Sequence, residues 1–359
     1  MVAVMKATLW RQDVTLRHAV GAARERHDRR SRLFLAVEHD GAVGYGEVAP
    51  QPAALNGDPS FADVLNEVRT FVLPLLDQVV AREGDLPSWS RVARFAGSRP
   101  ASNPAVALVE MALLERELRL TAQSIAQRWA TLFATPRQST VSLLAPDEWH
   151  VAKGVARVRA KTAPGRPSDL ALERLAELRV PVLLDFNCSA TGDDEVLEQV
   201  RIVGAVCDVV AVEQPFSAGN VIDHARLAEQ LDVDLSVDEG LRSLRDLDQI
   251  VRYRAASIIC VKPARVGGLA NARTLVARAR DEGVRAYVGG FFESPYARRV
   301  HRALCASAVD EPSDLDDVPV EPADYDREVE EVRGGFGVVP YEGMLRRVAL
   351  VPTAPGAGI

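Results

Sequence analysis

From Ser139 onward the chain repeats one pattern: a short apolar, β-branched run ending on a polar residue, an amphipathic stretch, and then the next run. The run ends are Lys161, Asp185, Glu213, Asp238, Lys262 and Gly290, spaced by 24, 28, 25, 24 and 28 residues. Parallel neighbours need a helical crossover of about this length, so the repeat predicts a parallel α/β sheet. An open sheet would spread six strand ends along an edge, whereas a barrel gathers them at one mouth, where such folds build their sites. Strands are predicted over Thr140–Leu144, Ala156–Lys161, Val180–Phe186, Val209–Gln214, Leu235–Val237, Ser257–Val261 and Arg285–Val288. Helices are predicted over Asp169–Leu178, Asp193–Val203, Val221–Gln230, Leu244–Tyr253 and Leu269–Glu282.

The first part of the chain reads differently. Met5–Leu16, Arg32–Glu38 and Ala42–Val48 alternate as a strand meander, with Gly41 and Gly44–Gly46 read as turns. Phe61–Val80 and Pro104–Leu120 carry helical periodicity, and Asn103 ahead of Pro104 reads as an N-cap. A further helix is expected over Thr121–Trp129. Strand-like pieces at Gly335–Val339 and Leu345–Val351 are expected to return to this part.

Three of the repeat's ends are acids, within LLDFN, VEQP and VDEG. Asp185, Glu213 and Asp238 converging at one mouth cannot stay ionised together without a cation. Oxygen donors with no His or Cys among them select Mg²⁺, with Mn²⁺ as the alternative, over zinc. Lys161 and Lys262 flank the acids from the strands before and after. Only four of the 43 basic residues are lysine. Where arginine is the default cation, a lysine retained at a strand end points to proton transfer, because arginine keeps its proton at any working pH. The arrangement suits removal of a proton α to a carboxylate, with the metal stabilising the resulting enediolate. The four cysteines, Cys188, Cys207, Cys260 and Cys305, lie far apart and are read as reduced and without chemistry.

These motifs resemble the enolase superfamily in its muconate lactonizing subgroup, close to o-succinylbenzoate synthases and N-succinylamino acid racemases. The resemblance runs through GYGE (Gly44–Glu47), VEMALLERELRL, RVRAKTAPG, LLDFN, VEQP, VDEG, VKPARVGGL and GGFFES. It implies a modified TIM barrel, (β/α)₇β, over 136–316, and an N-terminal α+β capping domain over 1–135 that is completed by about 317–359. It implies Asp185, Glu213 and Asp238 as ligands of Mg²⁺ and Lys161 as the base. Lys262 would lie across the site as acid, second base or stabilising cation. Asn187 and Glu239 would support the ligands, and Gly290, Glu293 and Ser294 would border the substrate. A loop around His18–Asp28, with Arg24 and Arg26 facing an anionic substrate arm, and the segment Ala49–Leu55 would close over the site. The family is commonly oligomeric.

Three features depart from the resembling enzymes. Arg159 stands where they carry the first lysine of a Lys-x-Lys pair, and GGFFESPYARR brings Phe291, Phe292, Pro295 and Tyr296 to a usually glycine-rich segment. The stretch Pro340–Arg347 lacks a glycine-rich ending. Dehydration to o-succinylbenzoate, a step of menaquinone biosynthesis, ranks first on overall resemblance and racemisation of an N-succinylamino acid second. Dipeptide epimerisation ranks third, on the Asp314–Asp316 spacing, and muconate cycloisomerisation has no residue arguing for it. A non-catalytic barrel binder would be expected to have lost a ligand or both lysines, and neither is missing.

A net charge of −7 offers no field to hold nucleic acid, and no stretch approaches the roughly 20 apolar residues of a membrane span. The opening MVAVMKATLWRQDVTL has no apolar run of signal-peptide length, so a cytoplasmic place is expected. An NAD site is disfavoured because no G-x-G-x-x-G follows an early strand.

Overall fold

A computed structural model describes residues 5–21, 26–86, 88, 101–130, 136–309, 311–316, 318, 320–321 and 328–351. The first sheet is antiparallel and is built on β1 (Lys6–Gly21), β2 (Arg26–His39) and β3 (Ala42–Val48). β1 and β2 run longer than their apolar alternation suggested. Their buried face carries Leu9, Leu33, Leu35 and Val37 against helices Phe61–Glu67, Leu73–Glu83 and Asn103–Leu120. The helical run at 61–83 is continuous but passes through one wide turn at Val68–Val72, just ahead of Pro74.

Gly41 lies in a turn with φ +74, as expected, but Gly44 and Gly46 do not. Both sit inside β3, where a Cβ would come 2.1 Å from the Ala112 carbonyl oxygen and 1.9 Å from that of Leu108. The glycines let the backbone of helix Asn103–Leu120 lie directly on the strand. Asn103 is likewise not the cap. Ser102 holds that position, and the Asn103 amide donates to the carbonyls of Arg242 (3.0 Å) and Arg265 (2.5 Å) in the second layer of the molecule.

The second sheet is parallel, and its seven described strands neighbour one another in chain order. They are β4 (Gln138–Ser142), β5 (Arg157–Lys161), β6 (Val182–Asp185), β7 (Val209–Glu213), β8 (Asp234–Val237), β9 (Ile258–Val261) and β10 (Arg285–Val288). Residues 313–314 close the ring in the eighth place. Gln138 N–H donates to Ser313 O (3.1 Å), Ser313 N–H to Pro136 O (3.0 Å) and Asp314 N–H to Val288 O (3.1 Å). Strand alternation divides the core in two. Leu184, Val212, Ile259 and Val261 pack outward on the helices, while Leu183, Ala211, Ile258, Cys260 and Tyr287 fill the barrel interior. Four of the helices around it start on side-chain caps, at Ser168, Asn220, Ser243 and Ser294. Of the tail, β11 (Val320–Glu321) and β14 (Arg346–Val351) pair antiparallel with β1, and β12 (Val329–Glu331) pairs with β13 (Val338–Pro340).

Candidate active site

Register explains why the strand ends meet. Lys161 pairs with Asp185 and Asp185 with Glu213 across adjacent strands, and Asp238 follows immediately on β8. All three acids have no exposed surface, and Lys161 and Lys262 are 8% and 7% exposed. Lys161 Nζ donates to Asp185 Oδ2, and Lys262 Nζ donates to Asp238 Oδ2 at 2.8 Å. The two lysines are thus held on opposite flanks of the acids.

Arg159 occupies the floor of this arrangement as a fixed cation. Its guanidinium is paired to Asp314, lies 3.6 Å from Glu213 Oε1 and reaches Asp185 Oδ2 at 4.0 Å. Asp314 is therefore engaged, while Asp316 pairs with Arg137 at 2.9 Å, so the Asp-x-Asp spacing does not present two uncommitted acids.

Burial works against all three carboxylates, and their neighbours decide the outcome. For Asp185, Lys161 and Arg159 outweigh burial and hold it below the usual range. For Asp238, Arg265 and Lys262 do the same. Glu213 goes the other way, raised well above the usual range by burial and by the charge of Asp185. Lys262 is raised, because Asp238 outweighs the cost of burying its ammonium. Glu239 is raised by burial and by Asp238.

The loops after the acidic strands are locked in unusual backbone. Asn187, Cys188 and Gln214 have φ of 45°, 63° and 38°. Asn187 N–H donates to Asp185 Oδ1 (3.0 Å) and its amide to Glu239 Oε1 (3.3 Å). Gln214 Oε1 accepts from the backbone N–H groups of Asp238 (2.9 Å) and Gly240 (3.0 Å), which fixes the β8 end against the β7 end.

Several participants escaped the sequence reading. Arg265 stands one helical turn from Lys262, a spacing that could have revealed it. It joins Asp238 to Asp58, which it meets at 2.7 Å, and so links the acids to the segment after β3. Asn56 in that segment donates to Glu239 Oε1 at 3.4 Å. A narrow crevice lies between the same segment and the barrel, lined in part by Ala49, Gln51, Asp58, Arg265 and Phe291. Tyr287 donates its hydroxyl to Glu213 Oε2 from within the barrel.

The segment after β10 only partly meets expectation. Phe291 does reach the site, with its ring centroid 4.8 Å from Lys262 Nζ and 4.9 Å from the Arg265 guanidinium carbon. Phe292 lies under Arg30, Pro295 opens helix Pro295–Ala308, and Tyr296 bonds to Glu115 at 2.7 Å, away from the acids. Glu293 and Ser294 also face elsewhere. Glu293 accepts from Phe291 N–H (2.8 Å) and pairs with Arg298 (3.4 Å), and Ser294 N–H donates to Glu47 (2.7 Å). Gly290 lies against the Glu293–Arg298 pair, and a Cβ there would come 2.4 Å from Glu293 Oε2, so that side chain would have to shift. Arg24 and the Arg26 side chain lie outside the described residues.

The donor set fits a small, hard divalent cation: three buried carboxylates share one mouth, and Glu213 Oε1 has no hydrogen-bond partner. Among the described residues, however, the buried trio whose donor atoms lie within 4.8 Å of one another is Glu213, Asp238 and Cys260, while Asp185 is drawn to Lys161. Cys260, read from the sequence as without chemistry, points into the barrel two residues before Lys262 and lies beside these acids.

Residues 145–359, more than half of the chain, match the family described as enolase C-terminal domain-like. The o-succinylbenzoate synthase of Bacillus subtilis (strain 168) is 25% identical over 321 residues, covering 85% of this chain and 83% of that protein. The N-succinylamino acid racemase of an Amycolatopsis species is 26% identical over 293 residues, covering 77% and 76%. Among solved structures, an enolase-superfamily member from Listeria innocua Clip11262 superposes with a TM-score of 0.79 at 19% identity, over 97% of this chain and 98% of that one.

Proposed function

The chain belongs to the enolase C-terminal domain-like family, and on that premise we propose that it removes a proton α to a substrate carboxylate in a Mg²⁺-dependent reaction, foremost the dehydration carried out by o-succinylbenzoate synthases. The observation that carries the reading is the pair of buried lysines held on opposite flanks of three buried acids. In this reading Asp185, Glu213 and Asp238 hold the ion, and 1–135 with 317–359 cap a barrel of 136–316. Mg²⁺, when bound, supplies Lewis-acid stabilisation of the charge that develops on the substrate carboxylate.

The protein's own groups do the rest. Lys161 Nζ, released from Asp185, takes the α-proton. Lys262, held between Asp238 and the Phe291 ring, keeps a positive charge on the opposite face. In dehydration the C–H bond breaks with its proton passing to Lys161, the β C–O bond then breaks as that proton is returned to the departing hydroxyl, a C=C bond forms and water departs. Arg159 cannot share the base role, and its bonds suit it to fixing Glu213 and Asp314. Burial of the acids and of both lysines excludes water from the reacting face.

A second reading, racemisation of an N-succinylamino acid, rests on the same two lysines, since Lys262 stands where it could return a proton to the opposite face. Epimerisation of dipeptides is less well supported, because Asp314 and Asp316 already carry arginine partners. The deciding experiment is turnover of 2-succinyl-6-hydroxy-2,4-cyclohexadiene-1-carboxylate with and without Mg²⁺, beside a panel of N-succinylamino acids followed by optical rotation. Fast metal-dependent dehydration is the expected result. Racemisation without dehydration would select the second reading.

A further inference from the structure

We propose that Cys260 gives this centre a second, softer mode of cation binding, in which Glu213, Asp238 and Cys260 together hold a thiophilic divalent ion such as Cd²⁺ or Zn²⁺. The proposal rests on the assignment of Glu213 and Asp238 to the metal centre and adds a donor that no oxygen-only ligand set contains.

The geometry is the first support. The Cys260 sulfur and one oxygen from each carboxylate lie within 4.8 Å of one another, and all three side chains are buried. Zinc stands about 2.3 Å from sulfur and about 2.0–2.2 Å from carboxylate oxygen, so its ligands are separated by no more than roughly 4.5 Å. Donors already this close need small side-chain adjustments to share one ion. Unsatisfied polar atoms are the second, independent support. Glu213 is fully buried and engages Tyr287 through Oε2, while its Oε1 makes no hydrogen bond and faces the Arg159 guanidinium only at ion-pair distance, 3.6 Å. Ser236, paired with Glu213 across the β7–β8 ladder and two residues before Asp238, is also fully buried with its Oγ unpartnered. Polar atoms left unsatisfied at this depth call for an occupant.

Charge and softness complete the argument. Lys262, Arg265 and Arg159 surround the trio, so a thiolate added to two carboxylates does not leave the site strongly anionic once a dication enters. On binding, the Cys260 S–H bond breaks, its proton passes to solvent, and the sulfur lone pair enters the metal–sulfur bond. Mg²⁺ has little affinity for sulfur and leaves the thiol untouched. Thiophilic ions gain from it, so the two classes would compete for Glu213 and Asp238.

The test is a Cd²⁺ titration of the full-length protein, read by the near-ultraviolet thiolate-to-cadmium charge-transfer band, with Mn²⁺ binding followed separately by water-proton relaxation. The expected result is a saturable band, unaltered in Cys188→Ser and Cys207→Ser, absent in Cys260→Ser, weakened at least tenfold in Glu213→Gln, and displaced by excess Mn²⁺. Cys260→Ala, compared with wild type by circular dichroism, stands in where serine disturbs the barrel interior. A band that persists in the Cys260 variants, or none in wild type, would overturn the inference. Loss of Mn²⁺ relaxation enhancement in wild type would instead overturn the hard-metal reading, a failure seen in a different signal.

Discussion

The barrel mouth and the layer that covers it are built on different principles. At the mouth, Lys161, Asp185, Glu213, Asp238 and Lys262 each arrive at the end of a parallel strand or directly after it, at intervals of 24 to 28 residues. The covering layer contributes through single residues with no period. Asp58 reaches Arg265 across 207 residues, Asn56 reaches Glu239 across 183, and Arg32 donates to the Phe292 carbonyl across 260. Glu47 and Glu110 meet the first residues of two successive barrel helices, at Ser294 N–H and at Leu269 and Ala270 N–H. The proposed chemistry resides in the periodic half. The aperiodic half holds that chemistry in register, so damage to each should read out differently.

The largest effect is expected in the periodic half. Lys161→Arg keeps a cation beside Asp185 but cannot accept a proton at working pH, so α-proton exchange should fall by about 10²–10⁴-fold. Thermal stability and Mn²⁺ binding should change little. Exchange into deuterated solvent, followed by NMR, checks this, and near-native exchange would remove Lys161 from the base role.

Next in size is the joint between the halves. Arg265→Met leaves two buried carboxylates, Asp58 and Asp238, without their shared cation. Breaking a buried pair in this way costs about 3–5 kcal/mol, visible as a lower urea midpoint. Asp58→Asn in the same background should recover part of the loss. An unchanged midpoint in Arg265→Met would mean that the two halves are not coupled through this residue.

What could be read in the chain follows the same division. All seven parallel strands and the three acids were legible because β-branched runs ending on a polar residue recur, and in a parallel barrel that local signal also states where each end goes. Several of the misread positions take their partners from the other half. Asn103 has the composition of a cap, yet its amide is taken by carbonyls 139 and 162 residues away. Gly44 and Gly46 look like turn residues, but a helix pressed onto β3 is what demands them. Glu293 and Ser294 follow a barrel strand like the other site residues, but their bonds run to Arg298 and to Glu47 of β3. Cys260 was passed over because its inward direction depends on strand register, which spacing between cysteines does not reveal.

Glu47 offers a pH readout of the joint. Burial raises its pKa from 4.5 to about 7, against the pull of Arg32 and the bonds from Ser294. A carboxyl whose folded pKa is raised binds its proton more tightly in the native state, so its contribution to stability is present below the unfolded value and is lost as pH rises through the folded one. Stability should therefore decline between about pH 4.5 and pH 7, by something of order 3 kcal/mol from this group. Glu47→Gln should flatten that part of the profile in chemical denaturation. An unaltered slope would show that the bonds to Ser294 and the start of its helix keep Glu47 ionised after all.

The smallest effect separates the halves most directly. Ser60 caps helix Phe61–Glu67 in the covering layer, and Ser243 caps helix Leu244–Tyr253 on the barrel, each accepting from the backbone N–H three residues on. Losing such a cap costs about 1 kcal/mol. If the links through Asp58, Glu47 and Glu110 make the two halves one cooperative unit, Ser60→Ala and Ser243→Ala should shift a single calorimetric transition by similar amounts. If each half melts by itself, two transitions should appear and each substitution should move only one. The links through Asp58 and Glu47 have buried carboxylates at their centres, so the single transition is the expected outcome near neutral pH, and Arg265→Met is the background in which it should first divide.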